Sequence, residues 1–301
     1  MNCAPWLNIR RLASRPQSPE QADSKNEDND EEADLAAALE LSEGNSAVRT
    51  LLIMILNRTA KMGLARWGTV VVFAAAMAWV ESAVVFYLRT MIHRIEPYQA
   101  NPLPVIGGLG PVEMVRELAT LIMLLTVGLL AGRTWRSRLG YSAIAFGVWD
   151  ISYYVFLKVI CDWPHSLFDW DILFLLPLPW WGPVLAPVSI ALLLIVWGTL
   201  ASRFEPARAS TTSAIATWGA AFMGCVLALG LFMVDTMRVA DGGVDAIRNV
   251  LPNRFNWPLF LVALALMATP VVELCRRIVR SGQLEAAVRL PSPALSSEDQ
   301  A

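Results

Sequence analysis

The chain has 301 residues, 55% of them hydrophobic and 17% charged, with a mean hydropathy of +0.48. An ordinary soluble domain carries roughly a quarter charged residues, so a water-soluble fold of this composition is excluded by the apolar surface it would leave uncovered. The net charge of −2 hides an uneven distribution: ten of the 26 acids lie between Glu20 and Glu43 with Lys25 as the one base among them, which leaves 23 bases against 16 acids elsewhere. That basic surplus falls in the apolar part, where Lys and Arg near helix ends orient a chain in a bilayer, and no nucleic-acid partner is expected.

Residues 1–47 contain no apolar run, and their acidic, Ser- and Asn-rich composition cannot bury enough surface to fold alone. They are expected to form a disordered cytoplasmic tail. Within it, Asp34-Leu35-Ala36-Ala37-Ala38-Leu39-Glu40-Leu41-Ser42, preceded by Glu31 and Glu32, places acids, Leu, Ala and Ser at helical spacing. This dozen residues resembles the ubiquitin-interacting motif, and the resemblance implies ubiquitin as a partner if the protein is eukaryotic. The composition also fits sequence upstream of a start at Met54 or Met62. Thr50 to Leu56 is apolar but too short to span, and Arg49, Arg58, Lys61 and Arg66 flank it; residues 48–66 are therefore read as a helix lying in the cytoplasmic headgroup layer.

A helix rising about 1.5 Å per residue needs roughly 20 apolar residues to cross a hydrocarbon core of about 30 Å. Residues 67–280 hold six such stretches, at 67–91, 113–132, 139–161, 180–200, 214–235 and 256–275, followed by a second disordered cytoplasmic tail, 281–301. The fold class is an all-α polytopic bundle of about six spans with the lipid bilayer as its solvent. Arg133, Arg136, Arg138, Arg203, Arg208, Arg276, Arg277, Arg280 and Arg289 gather with the bases around residue 60 on one side. The other side mixes Arg89, Arg94, Lys158, Arg238, Arg248 and Arg254 with acids. The bias places both termini in the cytoplasm and the protein in the plasma (inner) membrane.

Tryptophans agree, since their amphipathic rings prefer the membrane boundaries: Trp67, Trp135, Trp197 and Trp218 fall at inner ones, Trp163, Trp170, Trp180, Trp181 and Trp257 at outer ones. Only Trp79 and Trp149 sit deep, each beside an acid in sequence. Small residues let helices approach closely in lipid. Ala216, Ala220, Gly224 and Ala228 form one ridge, with Gly128/Gly132 and Ala74/Ala78/Ser82 on other spans, and such ridges also suit a homo-oligomer. Cys3, Cys161, Cys225 and Cys275 have no metal-ligand spacing and read as free thiols.

Three acids lie inside spans. Glu81 is 14 residues past Trp67, roughly 21 Å into the membrane, Asp150 falls roughly 16 Å above Leu139, and Glu117 enters from the outer side. Their depths converge on the outer half. An acid at a helix centre costs on the order of 2.5 to 3.5 kcal/mol and normally faces the protein interior or a wet cavity. Glu81, Glu117 and Asp150 are therefore the candidate catalytic acids and bases. Tyr154 and Lys158 stand at i+4 and i+8 from Asp150, and Arg116 beside Glu117, as supporting groups. The structural alternative pairs the three acids with Arg89, Arg116 and Lys158 as an ion network that sets helix register.

The outer loop 162–171 supplies His165, Asp169 and Asp171 as a candidate divalent-metal set, the one cofactor the sequence suggests. It leads into a stretch with Pro177, Pro179, Pro183 and Pro187. Each proline removes a backbone donor, so a broken or re-entrant segment is expected, lined by protein or a wet cavity. His93 and Gly107-Gly108-Leu109-Gly110 read as plain outer-loop residues.

Three functions suit this pattern. The acids concentrate in the first three spans, which favours a membrane-embedded enzyme acting on a lipid or extracytoplasmic substrate. A proton- or cation-coupled transporter is the second, weakened by the absence of a visible inverted repeat. An assembly or scaffold protein with paired acids is the third.

Overall fold

The computed structural model describes the backbone of residues 46–99, 109–204 and 211–288, and the side chains of 63–99, 110–204 and 214–280. The acidic segment with its ubiquitin-interacting resemblance, Gly107 and Gly108, Arg208 and Arg289 lie outside the described residues. In chain order the helices are α1 Ser46–Met91, α2 Leu109–Ala131, α3 Trp135–Cys161, α4 Leu185–Arg203, α5 Thr211–Val239, α6 Gly243–Arg248, α7 Trp257–Met267 and α8 Thr269–Val288. Among the described residues, six stretches are long and apolar enough to cross a membrane: Gly63–Met91, Gly110–Ala131, Trp135–Cys161, Leu185–Arg203, Ala214–Arg248 and Trp257–Arg280. The protein is an integral, multi-pass membrane protein.

Most boundaries fall near their expected places, and the departures have physical causes. Residues 48–66 lie within α1, which is helical from Ser46. The fourth span starts at Leu185 rather than at residue 180, because the proline-rich approach folds as a two-stranded antiparallel hairpin, β1 Trp170–Ile172 paired with β2 Trp181–Pro183. Two further bonds extend the ladder inward, Leu173 N to Trp180 O and Trp180 N to Phe174 O, each 2.8 Å. The sixth span is interrupted at Ala268: Pro270 cannot donate to the turn before it, and Thr269 instead bonds the carbonyls of Leu266 and Thr217. Beyond it α8 runs to Val288, into the segment expected as a tail, through the good helix formers Gln283, Leu284, Glu285, Ala286 and Ala287.

Close backbone approach holds the spans together, as helices in lipid require. Ala74, Ala78 and Ser82 on α1 are fully buried, and α1 packs through Val70, Ala74 and Ala78 on Tyr141, Ile144, Ala145 and Trp149 of α3. Between α3 and α4, a Cβ on Gly198 would overlap the carbonyl oxygen of Gly140. This contact was not among the expected ridges. On α5 the packed residues are Ala221, Gly224 and Ala228, with Gly224 against the Ala263 carbonyl of α7, whereas Ala216 faces outward. The ridge is thus shorter than its four-residue spacing suggested.

The hairpin lies between two groups of helices. On one flank the Phe174 ring lies tilted against Trp149 of α3; on the other Trp180 packs with Phe232 of α5 and Phe260 of α7. Side chains from both flanks satisfy backbone groups near its tip, where the strand ladder ends. Glu117 accepts from Leu175 N at 3.2 and 3.0 Å, and Thr236 Oγ1 donates to Pro179 O at 2.7 Å.

Candidate functional site

A cavity of about 350 Å³ opens at the hairpin end of the bundle, between the C-terminal half of α1, the N-terminal half of α2, α3 and the hairpin. Glu81, Glu117 and Asp150 all line it, with Glu113, Arg116 and Thr120. The three acids singled out from the sequence therefore share one chamber. Every buried polar or charged residue among the described ones (Glu81, Ser82, Arg89, Arg94, Glu117, Thr120, Asp150, Asp171 and Thr236) lies in this half of the bundle. The other half of α1 to α3 is closed by Val70, Ala74, Leu124, Tyr141, Ile144 and Ala145.

Their charge partners differ from the expected network. Arg116 bridges Glu81 and Glu113, and Nε to Glu113 Oε2 is 2.8 Å. Thr120 Oγ1 donates to Glu81 at 3.3 Å. Arg89 pairs with none of the three acids: Nη2 donates to Asp171 Oδ1 at 2.8 Å, and the guanidinium lies 4.3 Å over the Trp163 ring. Lys158 turns outward to Asp162 at 2.8 Å. Glu117 is held by the Leu175 N–H, and Asp150 has no ion-pair partner among the described residues. One Asp150 oxygen, Oδ2, is buried without a hydrogen bond, as is Nε1 of Trp149.

The expected stripe of Asp150, Tyr154 and Lys158 does not hold together. A four-residue step overshoots a helical turn by about 40°, so the stripe rotates from the cavity to the hairpin and then outward. Tyr154 packs against Trp163, and Tyr153 takes its place in the cavity wall.

The three loop residues proposed for a metal are parted by the structure. Asp171 is fully buried against Arg89. Asp169 Oδ2 instead accepts the backbone N–H groups of His165 (2.7 Å) and Ser166 (3.1 Å), while the His165 ring stands 3.4 Å from Glu96, exposed. No group of three or more His, Cys, Asp or Glu placed to hold a metal ion occurs among the described residues.

Burial pushes the Asp171 carboxyl above its ordinary range, against the pull of Arg89, the Ile172 N–H and the Tyr154 hydroxyl. The exposed Asp162 is held below its range by the hydrogen bond and charge of Lys158. Burial lowers Arg94, whose guanidinium donates to the carbonyls of Pro97 (3.2 and 2.9 Å) and Gln99 (3.0 Å).

Sequence reasoning missed the Arg89–Asp171 pair. Its signal was present in the opposite charges of two residues set in apolar surroundings, but 82 positions separate them. It also missed that Trp163, ahead of the hairpin, and Trp181 of β2 turn inward, each 2% exposed, whereas Trp79 is 48% exposed and packs on Phe156 rather than on the acid beside it. The chain matches no protein-family model, no curated protein and no solved structure, so the geometry of this chamber carries the functional reading.

Proposed function

We propose that the protein is a membrane-embedded enzyme acting on a lipid or other substrate that enters from the extracytoplasmic face, with Asp150 as general acid or base. The observation that carries this is Asp150, a residue 8% exposed that lines a cavity and lacks an ion pair among the described residues. An ionisable group in that position costs free energy that no ion pair among the described residues offsets. Proton transfer to a bound substrate is a use that requires such a group. Arg116 is clamped by Glu81 and Glu113, and those two carboxylates neutralise its charge. Glu117 positions the hairpin and stands in the same wall.

The packed apolar half of α1 to α3 supports an enzyme over a transporter, which needs a polar route onward to the opposite face. The test is complementation of a deletion strain with Asp150→Asn, read by lipid profiling, alongside proton and cation flux in proteoliposomes. Asp150→Asn is expected to insert and melt like the wild type while leaving the lipid profile of the deletion uncorrected, with no flux above empty vesicles. A corrected profile overturns the reading, and Asp150-dependent flux replaces it with transport.

A further inference from the structure

We infer that the chamber recognises an amphiphile with an alkylammonium headgroup, the ammonium set against Asp150. The inference rests on the chamber being the substrate site and adds the chemical class of the substrate.

Charge comes first. The cavity wall carries the acids Glu81, Glu113, Glu117 and Asp150 and the bases Arg89, Arg94 and Arg116, and Asp171 lies directly behind Arg89. Five acids thus face three bases. Two of the three guanidiniums are committed to carboxylates, Arg89 to Asp171 and Arg116 to Glu81 and Glu113, and Arg94 to backbone carbonyls. The formal excess is negative: Arg116 sets one charge against two carboxylates, and neither Glu117 nor Asp150 has an ion-pair partner among the described residues. Glu117 accepts the Leu175 N–H, so Asp150 is the acid left for a ligand cation.

Unsatisfied atoms come second. Buried polar atoms without a partner are few in folded proteins, and each calls for an explanation. Among the described residues six such atoms occur, and three belong to residues that line the cavity: Arg116 Nη1, which lies against Glu81, and Asp150 Oδ2, an acceptor, and Trp149 Nε1, a donor, on adjacent residues. A headgroup with a cationic donor and a neighbouring oxygen, as in a 2-hydroxyethylammonium, matches that pair. An anionic headgroup matches neither the charge nor Oδ2.

The third observation is the wall around Asp150. Trp149 lies against Tyr153, with ring centroids 6.4 Å apart, and against Phe174 at 6.3 Å. Aromatic faces attract alkylammonium groups through the ring quadrupole, more strongly where water is excluded. Val85, Leu88 and Ile92 of α1 and Leu173 of the hairpin make the remaining wall apolar, which suits an alkyl chain continuous with the bilayer. A soluble amine lacks that contact.

The experiment uses the full-length protein in nanodiscs of phosphatidylglycerol, a lipid without an ammonium, and measures binding of dodecylammonium, dodecanol, N-dodecylethanolamine and ethylammonium calorimetrically. Dodecylammonium is expected to bind about tenfold or more tighter than dodecanol, the ratio typical of one hydrogen bond to a charged group, and Asp150→Asn to abolish the difference while leaving dodecanol unchanged. Trp149→Phe keeps a ring and removes the N–H, so it is expected to erase the preference for N-dodecylethanolamine over dodecylammonium. Ethylammonium binding as tightly as dodecylammonium replaces the lipid source with a soluble amine. Equal binding of dodecylammonium and dodecanol to the wild type, or an ammonium preference that survives Asp150→Asn in folded protein, overturns the inference. Turnover is not needed for this readout. Asp150-dependent ammonium binding with a lipid profile corrected by Asp150→Asn leaves the recognition standing and removes the enzyme, and the reverse pattern removes only the substrate class.

Discussion

The two flanks of the hairpin solve one problem with different chemistry. Toward α2 and α3 its backbone is held by a carboxylate, Glu117 on the Leu175 N–H, beside a chamber with four acids. Toward α5 and α7 it is held by one hydroxyl, Thr236 on the Pro179 carbonyl, within a wall of Phe232, Phe255 and Phe260. A hydroxyl is sufficient to satisfy a buried backbone group, so structure alone does not require charge on the first flank. The surplus there is what the proposed ligand site draws on, and within it Asp150 is the acid with neither an ion pair nor a hydrogen bond among the described residues.

Substitutions can break this comparison, beginning with the contact that anchors the hairpin on the charged flank. Arg89→Leu leaves Asp171 buried without its cation and is expected to destabilise the fold by about 3–5 kcal/mol, seen as loss of folded protein in size-exclusion chromatography. The double variant Arg89→Leu/Asp171→Leu removes both charges and is expected to recover most of that loss; if it does not, the pair is not the anchor. Next in size is Gly198→Leu, which forces α3 and α4 apart at the Gly140 carbonyl. Overpacking of this kind costs about 1–3 kcal/mol, and a melting temperature equal to the wild type would show that the helices do not approach as closely as described.

A smaller effect separates the two flanks directly. Thr236→Val deletes the donor to Pro179, and Glu117→Leu deletes the acceptor from Leu175. Each is expected to lower stability by about 1 kcal/mol, the scale of hydrogen bonds between membrane segments, whereas Glu117→Gln keeps an acceptor and is expected to change the melting temperature less than Glu117→Leu. Similar losses for Gln and Leu would mean that the charge of Glu117, and not its oxygen, holds the hairpin. Least affected is Asp162→Asn, which removes a fully exposed partner of Lys158. Because Asp162 is held below its ordinary range, any stability it contributes is present above that range and fades as pH falls through its lowered value. Thermal unfolding near neutral pH and in acid is expected to differ from the wild type by no more than measurement scatter.

The six spans and the trio Glu81, Glu117 and Asp150 were legible in the chain because both follow from local costs. A run of apolar residues is read directly against the thickness of a bilayer, and an acid inside one must face inward, so converging depths imply a shared chamber. Residue partners were not legible in the same way. Arg116 reaches Glu81 across 35 positions and Arg89 reaches Asp171 across 82, and nothing local distinguishes those pairings from Arg89 with Glu81 or Lys158 with Asp150. Periodicity even misled at Tyr154 and Lys158, where a few tens of degrees of helical drift turned the side chains out of the cavity.

The sequence by itself determined that this protein lives in a membrane, how many times its helices are able to cross, and that three acids belong inside, because each is a sum over neighbouring residues. Only the tertiary structure decided that the proline-rich segment becomes a hairpin between two helix groups, that Asp171 is an anchor for Arg89, and that Asp150 lines the chamber without an ion pair among the described residues. Those outcomes depend on which buried charges and backbone groups satisfy one another across the fold, and that competition is settled in three dimensions.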